Sequence, residues 1–247
     1  MVLMDLLLIG ALVFLIAGSV KGLVGIGLPT AAISMLTIFI DPRTAIAMGL
    51  VPIVVSNAWQ VWSMGDVRGA FQRYWVFAAA LGVSVFVTVS LSAEVSDRVI
   101  FLALGLSIVA FAALNLRFTM PAIPDRYDRA AQLCLGTLGG ILGGLSGVWV
   151  APVIMYMSAR QVQKDEFVRA TGLLLFIGGV PFFAAYVLEG LLTPSLAAVS
   201  LALVLPTLLG FALGARLRNR MSNEKFRKVL LYVFLLLGLN LLRRGLF

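Results

Sequence analysis

The chain contains no histidine and a single cysteine, Cys134, in 247 residues. Haem ligation, a zinc site and a disulfide therefore have nothing to build on, and no cofactor is expected. Charge is scarce too. Asp, Glu, Lys and Arg make up 12% of the chain, against roughly 25% in a soluble domain, which is too little for a water-facing surface. Acids are missing from the long apolar runs; Asp41, Asp66, Glu94, Asp97 and Glu189 stand at their edges. A buried carboxylate relay for protons is thus not visible. A membrane enzyme would also lack the convergent His, Cys or acidic groups it needs. No GxxxxGK[ST] sequence is present, so nothing supports ATP-driven work by this chain.

What the chain does have is apolar: 61% of its residues are hydrophobic. The net charge is +8, but most Lys and Arg sit in short gaps between apolar runs. That pattern signals membrane topology rather than a basic binding face, and no nucleic-acid partner is expected. Cys134 lies within an apolar run and reads as a packing residue. The opening MVLMDLLLIG carries Asp5 and no Lys or Arg ahead of its apolar stretch. It reads as a retained first membrane segment, not a cleaved signal.

The charge-poor runs are 6–20, 22–40, 44–65, 74–93, 99–116, 130–159, 170–188, 190–215 and 229–242. A helix that crosses a bilayer needs about 20 mostly apolar residues, and several runs meet that length. None alternates at period two, so strands are not expected. The expected fold class is all-α, a polytopic integral membrane protein in a lipid bilayer. Two stretches do not fit single crossings. Residues 6–40 are too many for one crossing at about 1.5 Å rise per residue, and 130–159 too few for two. The first is interrupted by Gly18, Lys21, Gly22, Gly25, Gly27 and Pro29; the second by Gly139, Gly140, Gly143, Gly144, Gly147 and Pro152. Both read as helices broken or re-entrant near their middle.

The two stretches also resemble each other. Gly18, Gly22, Leu23 and Gly25 match Gly140, Gly144, Leu145 and Gly147 at a constant offset of 122, and one inserted residue then brings Pro29 onto Pro152. Ala47-Met48-Gly49-Leu50 lies on Ala170-Thr171-Gly172-Leu173, and Leu114-Asn115-Leu116 on Leu239-Asn240-Leu241. The chain is expected to be a first transmembrane repeat (1–120), a cytoplasmic linker (121–129) and a second repeat (130–247). Each repeat would be a broken region followed by three transmembrane helices. Internal repeats of this kind are characteristic of secondary transporters.

Charge placement orients the repeats. If each broken region starts and ends on one side, the loops 65–73, 117–129, 159–169 and 216–228 share a side and hold fourteen Lys and Arg. The other side holds four: Arg43, Arg98, Arg243 and Arg244. The positive-inside rule makes the rich side cytoplasmic. Both termini then face outward and the repeats are inverted, with Arg243 and Arg244 the one untidy feature.

The stretches KGLVGIGLPTAAISML and GGLSGVWVAPVIMYM, each followed by a short polar gap and an Ala-x-Gly helix start, resemble the sulfite exporter TauE/SafE family of membrane transporters. The resemblance spans nearly the whole chain. Lys21 in the first stretch and Trp149 in the second depart from the usual pattern. The resemblance implies a secondary transporter in the bacterial cytoplasmic (inner) membrane that moves a small sulfur-containing or organic anion, such as sulfite, a sulfonate or sulfoacetate. A coupling ion and a homo-oligomer are both open. An anion channel shares the same signals, and a non-transporting assembly subunit is the third reading.

The expected binding region joins the two broken stretches. A helix that starts inside the membrane presents free N–H groups and the positive end of its dipole, which suit an anion. Gly22, Gly25, Gly27 and Pro29 would form one such end, and Gly144, Ser146, Gly147, Trp149 and Pro152 the other. The opposing reading for these glycines is close packing between helices. Lys21, the one charge between Asp5 and Asp41, would attract the anion, or would snorkel to a surface. Asn57 and Gln60 share a helix face, and with Thr171 could hydrogen-bond anion oxygens or a neighbouring helix.

Overall fold

In the computed structural model the described residues are 3–92, 95–117, 121–218 and 223–247. Residues 118–120 and 219–222 of the expected loops, and Glu94, lie outside them. The described residues are helical, with no strand among them. The helices are α1 (Leu3–Val24), α2 (Leu28–Leu36), α3 (Pro42–Met64), α4 (Val67–Leu91), α5 (Asp97–Arg117), α6 (Asp128–Ser146), α7 (Val150–Ala159), α8 (Lys164–Leu188), α9 (Pro194–Ala202), α10 (Val204–Arg218) and α11 (Asn223–Leu246). Among the described residues, six spans are long and apolar enough to cross a membrane: Met4–Val24, Pro42–Ser63, Val67–Leu91, Asp97–Leu114, Glu166–Leu188 and Pro194–Leu217. The last comprises α9 and α10, jointed at Leu203.

Both glycine-rich stretches are broken helices. The first parts between α1 and α2 at residues 25–27, and the second between α6 and α7 at 147–149. Several boundaries differ from the sequence expectation. Residues 67–73 are helix, not loop, because Asp66 caps α4 and accepts from the Gly69 N–H at 3.2 Å. Residues 164–169 likewise belong to α8. Ala47 and Ala170 fall inside α3 and α8 rather than at their starts, since Asp41, accepting from Thr44 N–H at 2.8 Å, caps α3 ahead of Pro42. Cys134 is exposed on α6, not packed inside.

The segments 1–120 and 130–247 interleave. The most extensive helix contacts are α1 with α10, α4 with α6, and α5 with α11, and α3 also packs on α8. Glycine makes the first two pairs possible. A Cβ on Gly18 would lie 2.3 Å from the Thr207 carbonyl oxygen, and one on Gly22 would lie 2.2 Å from that of Phe211. From the other side, a Cβ on Gly210 or Gly214 would lie 2.1 Å from the Leu15 or Ser19 carbonyl oxygen. On α6, Gly140 and Gly144 meet Ser84 at 2.4 Å and Thr88 at 2.5 Å on α4. Lipid offers no hydrophobic drive for helix association, so close van der Waals approach through small residues holds these pairs.

Arg244 has a structural explanation. It donates to the carbonyl of Thr37, the residue that ends α2, and its guanidinium lies 4.2 Å from the Phe101 ring centroid. A cation there satisfies an orphan carbonyl and complements the helix dipole.

Candidate functional site

Lys21 lies in the last turn of α1 and is 2% exposed. It does not snorkel. Its Nζ donates to Ser56 Oγ at 3.2 Å and to Asn57 Oδ1, both on α3 and both buried. None of the ion pairs among the described residues involves it. An ammonium has three donors, and these neutral acceptors use two. A buried lysine amine without a carboxylate partner is an uncommon arrangement, and in its protonated form it attracts an anion.

The first break follows Lys21 by four residues, and the second is built like the first. Gly25 donates its N–H to the Lys21 carbonyl at 2.7 Å, and Gly147 to that of Gly143 at 2.7 Å. Both have positive φ, +88° and +72°, a backbone region where only glycine is at ease. The chain then turns into α2 after Gly27 and into α7 after Trp149. Neither helix start receives a side-chain cap. Pro29 and Pro152 stand in the first turns, where a missing N–H removes no helix bond. Gly25 faces open space, whereas a Cβ on Gly147 would meet Ile33 of α2 at 2.9 Å. The second break therefore abuts the helix that leaves the first.

The Trp149 ring fills the space beside the residue that the sequence offset sets opposite Lys21. That residue is Gly143, and a Cβ there would lie 2.7 Å from the Trp149 ring. The indole is 1% exposed, stacks edgewise on Phe182 with centroids 5.5 Å apart, and its Nε1 has no acceptor. One half thus presents a buried lysine amine and the other a buried, unused N–H donor.

Other expected residues serve the fold. Gly22 and Gly144 face neighbouring helices at contact distance, so the packing reading holds for them and they have no free side toward a ligand. Ser146 donates to the Leu142 carbonyl at 2.6 Å and accepts from Val148 N–H at 3.1 Å, which stabilises the break itself. Thr171 donates back to the Phe167 carbonyl at 2.7 Å, so its one donor is committed to its own helix. Gln60 reaches across to α8. Its Nε2 donates to the Val168 carbonyl at 3.2 Å, its stem packs on Gly172, and its Oε1 is buried without a donor. Ser56 was recognisable from its position beside Asn57; its bond to Lys21 depends on how α1 meets α3.

Neither the curated proteins nor the solved structures include a match to this chain. The family model for the sulfite exporter TauE/SafE matches residues 10–241, nearly the whole length. The paired broken helices, the apolar spans and this match together show that the chain belongs to the sulfite exporter TauE/SafE family of membrane transporters.

Proposed function

We propose that the chain is a secondary transporter that carries a small anion, such as sulfite, a sulfonate or sulfoacetate, across the bacterial cytoplasmic membrane by alternating access. The observation that carries the reading is Lys21, a buried amine held by two neutral oxygens, which an incoming anion would favour in its protonated form. Its third donor, the uncapped starts of α2 and α7, and the Trp149 indole N–H supply donors of one sign from both halves. An anion between them gains charge-assisted hydrogen bonds where water is excluded.

The packing supports two related halves. Exchanging the halves turns the α1–α10 pair into α6–α4 and leaves α3–α8 and α5–α11 unchanged. Together with the charge split between loops, this favours inverted repeats (1–120 and 130–247) around a shared site. A rocking motion of one half against the other would open the site to each side in turn.

The test is uptake of labelled sulfite, thiosulfate, sulfoacetate, taurine and small carboxylates by proteoliposomes. Lys21→Met should weaken apparent affinity by about tenfold or more, the range for losing a charged hydrogen bond, and Lys21→Arg should keep part of it. Wild-type affinity in a folded Lys21→Met protein would remove the site. Trans-stimulation by unlabelled substrate separates a carrier from a channel, and an assembly subunit would carry no flux.

A further inference from the structure

At one end of the molecule a polar cavity of about 290 Å³ is lined by Asp66, Gly69, Ala70, Arg73, Glu166 and Arg169. Its walls come from both halves of the chain. Arg73 on α4 pairs with Glu166 on α8 at 2.6 Å, and Asp66 ahead of α4 pairs with Arg169 on α8 at 3.1 Å. Tyr74 adds a bond from its hydroxyl to Glu166 at 2.5 Å. The segment from Asp66 to Arg73 is therefore clamped to α8 at both ends.

The same segment is jointed at both ends. On one side, Gly65 and Asp66 both have positive φ, +62° and +43°. For an aspartate that conformation is disfavoured and persists only where the surroundings hold it; here Arg169 and the Gly69 N–H do so. On the other side, α4 kinks at Tyr74, whose φ and ψ are −113° and 15°. The cause of the kink is Gln132 of α6. In a straight helix the Phe77 N–H would bond the Arg73 carbonyl. Instead, Phe77 N–H donates to Gln132 Oε1 at 3.2 Å, and Gln132 Nε2 donates to the Arg73 carbonyl at 3.2 Å. A side chain inserted into the ladder is a recognised origin of a sharp bend. The buried amide satisfies both freed groups, so the bend leaves neither of them unbonded.

Gln60 on α3 bonds the carbonyl of Val168, the residue before the cavity-lining Arg169, and its Oε1 is unused. Asn57 and Ser56 follow on the same face of α3 one turn deeper, and both hold Lys21. A polar stripe thus leads from the cavity to the buried ammonium.

We propose that the segment 66–73 is a gate, hinged at Gly65–Asp66 and at the Gln132-stabilised bend, and locked to α8 by the Arg73–Glu166 and Asp66–Arg169 pairs. It closes the path from the aqueous face to Lys21. The proposal rests on the anion-transport reading for its purpose, though its test does not need transport. The lock suits its role because partly exposed ion pairs are weak enough to exchange yet specific in geometry.

The test uses the full chain in detergent with Cys134→Ser and a reporter, Gln60→Cys, labelled by an uncharged maleimide. Asp66→Asn with Glu166→Gln should raise the labelling rate by about fivefold, as expected for two weakened pairs. The exchange Arg73→Glu with Glu166→Arg should bring it back toward the starting rate. Should the double variant fail to fold, raising salt on the reporter protein alone should speed labelling, because salt screens partly exposed pairs. Labelling indifferent to both the lock substitutions and salt would overturn the gate. That result would leave the anion site standing or falling on Lys21→Met, and a silent Lys21→Met would leave the labelling result intact.

Discussion

Gly22 and Gly25 stand three residues apart in one motif, yet the structure gives them unrelated tasks. Gly22 presses its Cα against the Phe211 carbonyl, leaving no space for a methyl group. A Cβ on Gly25 would meet nothing within 4 Å, and its constraint is the positive φ. Gly22→Ala must push α1 away from α10, a rearrangement of a kind that destabilises by about 1–3 kcal/mol. Gly25→Ala meets only backbone strain, about 1–2 kcal/mol, and no clash. The expected outcome is that Gly22→Ala gives the larger fall in thermal midpoint in detergent, and that the larger Gly25→Leu retains a folded protein but loses transport. A Gly25→Leu protein with full uptake would return this glycine to a purely conformational role. Gly144 should behave as Gly22 does, since a Cβ there would lie 2.5 Å from Thr88.

At the scale of elements, charge placement and helix ends now inform each other. The turn between α7 and α8, which includes exposed Gln161, carries the basic residues Arg160 and Arg169 nearby, and Arg160 is tied to Asp125 and Asp128 at 2.7 and 3.0 Å. The turn between α8 and α9 carries Glu189 and no Lys or Arg. The positive-inside rule predicts the first inside and the second outside. In a Cys134→Ser background, a cysteine at Gln161 should resist a membrane-impermeant thiol reagent in sealed cells, and one at Gly190 should react. External labelling at Gln161 would reverse the assignment. Arg244 does not weigh against this topology, because its guanidinium is engaged by the Thr37 carbonyl and the Phe101 ring.

At the scale of the molecule, the halves are not separable bodies. The largest contacts of α1 and α4 lie with α10 and α6, across the midpoint of the chain. A fragment of residues 1–120 alone would therefore expose the glycine faces of α1 and the cleft of α4 to lipid without their partners. We expect neither 1–120 nor 121–247 to give a monodisperse species when expressed alone. Co-expression of the two should restore a complex that size-exclusion chromatography resolves at the mass of the intact chain. A stable, monodisperse single fragment would contradict the interleaved packing.

Much of this protein follows from sequence alone. Low charge, long apolar runs and the absence of period-two alternation determine an all-helical membrane protein, because buried backbone must bond within its own helix. The glycine and proline positions locate both helix breaks, since positive φ and missing N–H groups are local properties. Partnership is what the sequence could not show. Gly22, Gly25, Gly144 and Gly147 look equivalent along the chain; only the neighbouring helix decides which pack and which bend. Ser146 and Thr171 carry donors that suit an anion, but a carbonyl of their own helix is always nearer. Cys134 sits among apolar residues whether it faces protein or lipid, and only the packing turns it outward. Lys21 held by Ser56 and Asn57, and Gln132 inserted into α4, join residues 35 and more apart. Such bonds depend on helix rotation and depth, which arise from three-dimensional packing and leave no period in the sequence.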